Sequence, residues 1–143
     1  MLKLKQKSKK MKFEVKNIED LKKVIKCIKK SNKNIIILKG TLGAGKTTLV
    51  KEFVKDLNIK NEVTSPTFAI QNVYDEKVYH YDLYNKGVDE FLALGMFDEL
   101  AKKGYHFIEW GEGLENILKE YGADYLIVEI ELKDNKRIIR CQN

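Results

Sequence analysis

The spacing of apolar residues changes several times along the chain, and each change marks an element. "KFEV" (12–15) alternates and reads as a short first strand. Asn17 then caps a helix, with Asp20 three residues on as a weak capping box. Leu21, Val24, Ile25 and Ile28 fall on one face of that helix. "NIIILK" (34–39) is a continuous β-branched run, the pattern of a strand covered on both faces in a parallel sheet. Helical spacing returns at Leu49, Val50, Phe53, Val54 and Leu57. "TFAIQNVYDEKVYHYDLY" reads as two strands turning at Asp75–Glu76, and "DEFLALGMFDELAKKG" as two short helices broken by Gly95. "YHFIEW" is a second inner strand. "EGLENILKEYG" is amphipathic through Leu114, Ile117, Leu118 and Tyr121, with Gly122 placed to end it. "YLIVEIELKDNKRIIRC" predicts a closing hairpin around Asp134–Asn135. With no internal repeat and no linker, residues 13–143 predict one α/β domain, a mixed sheet flanked by helices with antiparallel hairpin additions.

The net charge of +6 changes this picture less than its size suggests. "MLKLKQKSKKMK" holds six lysines and no acid; removing them from the 27 basic residues leaves 21, equal to the 21 acidic ones. The excess belongs to residues 1–12, read as a disordered tail, and is no evidence of a basic face on the fold. Contact of the tail with RNA or an acidic partner is the sharper alternative, and Met11 offers an alternative start. No apolar run approaches the ~20 residues of a membrane span. The basic N-terminus lacks the apolar core of a secretory signal, so a cytoplasmic protein is expected. Cys27 and Cys141 lie far apart and form no C-x-x-C pair, so they read as buried or incidental thiols.

The chemistry begins at "GTLGAGKTTLVKEF". Gly40, Gly45, Lys46 and Thr47 satisfy G-x-x-x-x-G-K-S/T, between a buried strand and an amphipathic helix. In such a loop, glycines let backbone N–H groups turn inward around phosphates, so Thr41, Leu42, Gly43, Ala44, Gly45 and Thr48 join the candidate site. Lys46 can reach β/γ oxygens, the Thr47 hydroxyl can ligate Mg²⁺, and the helix dipole points at the phosphates. The fold class sharpens to a P-loop NTPase-like sheet. A carboxylate must also help position the metal, and two candidates end strands: Glu109 in "YHFIE" and Asp82 in "VYHYD". One should act on Mg²⁺ directly or through water, and the other should orient or deprotonate the attacking water. "TSPTF" holds the only proline and is either an ordinary turn or a switch whose Thr67 senses the γ-phosphate or Mg²⁺. Trp110, the only tryptophan, is either core or a wall of the nucleotide or partner site. His80 and His106 lack metal-ligand spacing and read as packing histidines.

Gly43 makes the loop G-x-x-G-x-G-K-T, a form common in small-molecule kinases. Such kinases gather arginines around the transferred phosphate, whereas this chain has only Arg137 and Arg140, both in the closing hairpin. A GTPase needs N-K-x-D, and "NKGVD" misses by one residue. An ATPase remains, without an arginine finger in its central region and therefore slow alone; an arginine supplied in trans is worth about 10³- to 10⁵-fold in rate. An ATP-binding module without hydrolysis is the alternative of a different class.

"GTLGAGKTTL", "VTSPTF", "YHYDLY" and "FIEWGE", in this order, closely resemble the TsaE (YjeE) family, the bacterial ATPases of tRNA threonylcarbamoyladenosine (t⁶A) synthesis. The likeness runs from the first helix to the end of "FIEWGE". It implies ATP and Mg²⁺ as ligands and the TsaB–TsaD pair as partner, with ANN-decoding tRNA reached through that complex. ATP hydrolysis would support repeated turnover, by resetting the complex, while TsaD performs the transfer. The resemblance implies that Lys46 and Thr47 are the loop lysine and metal-binding threonine and Glu109 the Mg²⁺-associated glutamate. It gives Asp82 a part in hydrolysis, makes Thr67 the switch threonine and sets Trp110 beside the site. Two departures stand out. The family continues "DLYR" where this chain has Asn85, with Lys86 next to it as a substitute cation. Gly111 replaces proline or alanine, which is expected to loosen the turn after Trp110.

Overall fold

The apolar run at Ile35, Ile36, Ile37 and Leu38 is buried on both faces, and the strand it forms, β2 (Ile35–Lys39), lies in the middle of a seven-stranded sheet. The computed structural model describes residues 10–63, 70–85 and 87–143. Within them, β2 runs parallel to β5 (Tyr105–Glu109) on one side and to β6 (Leu126–Lys133) on the other. Beyond β5 lie β4 (Val78–Asp82), parallel to it, and β3 (Gln71–Tyr74), antiparallel to β4. Beyond β6 lie β7 (Lys136–Gln142) and then β1 (Lys10–Val15), both in antiparallel register. The α/β class and the hairpin turns at Asp75–Glu76 and Asp134–Asn135 stand as the sequence predicts. Both residues of each turn adopt the left-handed backbone that tight hairpins need.

Strand alternation divides the core in two. Ile36, Leu38, Val78, Phe107 and Val128 face α1 (Leu21–Lys30) and α2 (Lys46–Asp56). Ile35, Ile37, Tyr79, Tyr81 and Ile108 face the other layer, which contains α3 (Gly87–Ala93), α4 (Met96–Glu99) and α5 (Glu115–Glu120). Gly95, at φ 75°, separates α3 from α4 as its position in the sequence suggested. Asn17 and Asp20 do form a reciprocal capping box, at a short 3₁₀ turn that leads into α1. Among the described residues, no helix is long and apolar enough to cross a membrane.

Two expectations change. The first strand starts at Lys10, so Lys10, Met11 and Lys12 belong to the sheet and not to a tail. They pair with Gln142, Cys141 and Arg140 on the outer edge, where backbone bonds extend the strand that Val15 and Phe13 anchor and lysines discourage further pairing. Neutral total charge also conceals segregation: α1 carries five lysines and no acid, on the sides of the helix away from its buried stripe. The cysteines are free thiols, Cys141 buried and Cys27 half-buried, as the sequence suggests, and the fold brings Cys27 on α1 beside Cys141 on β7. Burial first, then the neighbouring Cys27, pushes the Cys141 thiol up to about 12, which makes it a poor nucleophile.

α2 is held on the sheet chiefly by Phe53, which is fully buried and meets Tyr105 and Phe107 edge-on at centroid distances of 4.7 and 4.9 Å. Phe53→Ala should lower stability by about 3–5 kcal/mol. Urea denaturation with a loss below ~1 kcal/mol would mean that α2 is anchored elsewhere.

Candidate functional site

The loop between β2 and α2 turns at the carboxyl ends of the parallel strands, where open α/β sheets form ligand crevices. Its glycines are placed by space and by backbone angle. A Cβ on Gly40 would sit 2.7 Å from the Ile130 carbonyl oxygen. Gly45 caps α2 at φ 115°, and a Cβ there would meet Arg137 Nε at 2.8 Å. Gly43, at φ 78°, is open to solvent, as are Thr41 and Leu42. Ala44 is buried; its N–H donates to the Thr41 carbonyl at 3.1 Å and closes the turn. Thr48, exposed on the first turn of α2, faces a cavity of about 250 Å³ shared with Gly45, Ile130, Arg137 and the Val15–Ile18 stretch.

Lys46 is 5% exposed and folds back across the loop. Its ammonium donates to the Gly40 carbonyl at 2.7 Å and lies 3.7 Å from the centroid of the Trp110 ring. Burial pushes its pKa below the ordinary lysine value, while Glu109, Glu112 and Asp82 act in the opposite direction. Trp110, half-buried, packs against the core on one side and lies beside the Lys46 ammonium, so core and site contacts coexist. It sits at φ 59°, a strained backbone for a bulky residue, and its ring lies 4.9 Å from that of Tyr84. The turn after it is tight, contrary to expectation: Gly111 is buried, and a Cβ there would approach Ile108 Cγ2 at 2.5 Å.

The two carboxylates come together because β4 and β5 run in register, with Asp82 opposite Glu109. The Leu83 N–H donates to the Glu109 carbonyl at 3.0 Å and pins the two strand ends. Their side chains nevertheless differ. Glu109 is buried, and its Oε2 accepts from Thr47 Oγ1 at 3.1 Å. Asp82 is half-buried, and its Oδ1 accepts from the Tyr84 N–H at 2.9 Å. Glu109 is thus the carboxylate joined to Thr47 of the loop, and Asp82 the one nearer to solvent. Thr67 and Lys86 lie outside the described residues.

Two residues at this site carry more than the sequence reading gave them. Arg137 was set aside with the closing hairpin, yet β7 begins at the loop, and Arg137 Nε donates to the Ala44 carbonyl at 2.7 Å. No local pattern marks this; the antiparallel return of β7 creates it. His80 was read as packing, but its Nε2 lies 2.5 Å from Glu109 Oε2. The signal was its period-two spacing from Asp82, which puts both on the α2 side of the sheet. His106 does pack: it stacks on Tyr79, pairs with the Tyr81 hydroxyl and donates from Nε2 to the Lys102 carbonyl.

Among the described residues, no three His, Cys, Asp or Glu side chains form a metal cage. A P-loop does not require one, since Mg²⁺ there is taken by one or two side chains, water and substrate phosphates. Comparison with known proteins gives one answer throughout. The profile of the family described as "Threonylcarbamoyl adenosine biosynthesis protein TsaE" matches residues 15–139. The TsaE protein of Aquifex aeolicus is 41% identical over 112 residues, covering 74% of each chain. That of Bacillus subtilis is 31% identical over 148 residues, covering 94% of this chain and 93% of its own. The crystal structure of Bacillus subtilis YdiB superposes with a TM-score of 0.68 at 28% identity, covering 96% of this chain and 87% of that one. With the family profile matched over residues 15–139 and relatives and fold matched across nearly its whole length, the chain belongs to the TsaE family.

Proposed function

We propose that this chain is a Mg²⁺-dependent ATPase, slow alone, that serves threonylcarbamoyladenosine (t⁶A) modification of ANN-decoding tRNA through a TsaB–TsaD pair. The observation that carries the chemical part is the hydrogen bond from Thr47 Oγ1 to Glu109 Oε2 at 3.1 Å. It joins the loop hydroxyl that takes a metal to the carboxylate that holds the metal's water, across 62 residues of sequence. The biological part rests on family membership, since relatives of this length and similarity are named for t⁶A biosynthesis.

The residues fit a metal–nucleotide complex. Side chains at Gly40 and Gly45 would clash with Ile130 and Arg137, so the tight loop needs glycine at both positions. Thr47 donates its proton to Glu109 and so turns its lone pairs toward the phosphates. Lys46, tied to the Gly40 carbonyl and Trp110, can exchange those partners for β/γ oxygens. Thr47, with Glu109 behind it, would hold Mg²⁺, which would supply positive charge against the charge developing on the phosphates. The more exposed Asp82 is suited to orient the attacking water and accept its proton. The cavity beside Gly45 and Thr48 gives the nucleoside a place at the end of the loop. Arg137 donates from Nε to the Ala44 carbonyl, where it braces the loop.

Lys46→Ala should abolish ATP binding measured by calorimetry, whereas Asp82→Asn should bind ATP normally and lose at least about 100-fold in turnover. Unchanged turnover in Asp82→Asn would favour a binding module over a hydrolase. Arg137→Ala should weaken ATP binding about tenfold, because a charged group's hydrogen bond to a loop carbonyl is worth about 1.5 kcal/mol or more. Equal affinity in that variant would show that the loop needs no brace.

A further inference from the structure

We propose that His80 is the positioning residue for Glu109 and sets how much Mg²⁺ strengthens nucleotide binding; the inference rests on the nucleotide reading above. β4 presents Val78, His80 and Asp82 to the α2 side, and β5 presents Phe107 and Glu109 to the same side. In register His80 stands opposite Phe107, one pleat away from Glu109, close enough for the ring to reach the carboxylate. His80 is fully buried, and its Nε2 meets Glu109 Oε2.

The other ring nitrogen is the telling one. His80 Nδ1 is buried and, among the described residues, has no hydrogen-bond partner. A buried polar atom left unpaired costs stability, and phenylalanine or leucine would fill the same space without that cost. Packing therefore does not account for a histidine here; the bond to Glu109 does. It also fixes the tautomer. Among the described residues the only acceptor in reach lies at Nε2, which assigns the proton to Nε2 and leaves Nδ1 the bare nitrogen.

The bonds from His80 and Thr47 both end on Oε2 of Glu109. Two donors on one oxygen, from two different elements, stop the carboxylate from turning. Oε1 keeps its lone pairs for a water on the metal. Partners of this kind, one step behind the ligands, commonly govern metal affinity by about 10- to 100-fold.

The test uses the full chain and a fluorescent non-hydrolysable ATP analogue, titrated in Mg²⁺ and in EDTA. Glutamine can place its amide N–H where imidazole Nε2 stands, whereas asparagine reaches only the Nδ1 position. Wild type should bind more tightly in Mg²⁺ than in EDTA. His80→Gln should keep most of that gain, and His80→Asn should lose about tenfold of it, with affinity in EDTA unchanged in both. A full gain in His80→Asn, or equal losses in the two variants, would overturn the role of His80. No Mg²⁺ gain in wild type would overturn the metal reading itself, a separate failure. Long-range ¹H–¹⁵N spectra of the wild type need no variant to fold, and with two histidines in the chain the assignment is direct. A His80 proton on Nε2 is the expected result; one on Nδ1 would contradict the proposal.

Discussion

The hydrogen bond between Thr47 and Glu109 is the point at which the two halves of this site become one. Thr47 stands on the first turn of α2, placed by the glycine loop that follows β2. Glu109 stands at the end of β5, placed by parallel pairing with β2. Neither position is reached without the packing of α2 on the sheet, which Phe53, Leu49 and Val50 secure from within the core. The apolar interior therefore sets the distance between a hydroxyl and a carboxylate. Around that pair, Lys46 and Trp110 close one side, Asp82 lies toward solvent, and Arg137 supports the loop from behind.

Charge and burial are divided along the same line. Glu109 and His80 are dry and tied to each other, which suits groups that must hold one geometry. Asp82 is wetter and bonded only to the backbone of its own turn among its described contacts, which suits a group that must meet water. The strained backbone of Trp110 lies between these two zones. Strain of this sort persists where the surroundings enforce it, here through the buried Gly111 pressed on Ile108 and the ring contacts with Lys46 and Tyr84.

Most of this architecture was legible in the chain. The run at Ile35–Leu38, the stripe through Leu49 and Phe53, the break at Gly95 and the turn at Asp134–Asn135 each carry a local pattern with one ready structural meaning. The loop and its two candidate carboxylates were legible for the same reason: motif and strand ends are local. Their division of labour was not, because the contacts of Glu109 with Thr47 and His80 depend on which strands are neighbours. Arg137 was hidden by topology, since only the return of β7 beside β6 brings it under Ala44. The meeting of Cys27 with Cys141 and the pairing of Lys10–Lys12 with β7 were hidden likewise. The lysine stripe of α1 was lost by averaging charge over the whole domain.

The account as a whole stands on one claim: the loop serves a partner-dependent hydrolysis of ATP. Steady-state hydrolysis of ATP and GTP by the purified chain, with and without its cognate TsaB–TsaD pair, tests it most directly. The account predicts slow hydrolysis of ATP alone, a preference over GTP, and a sharp rise on adding the pair. Equal rates with and without the pair, or a preference for GTP, would contradict it.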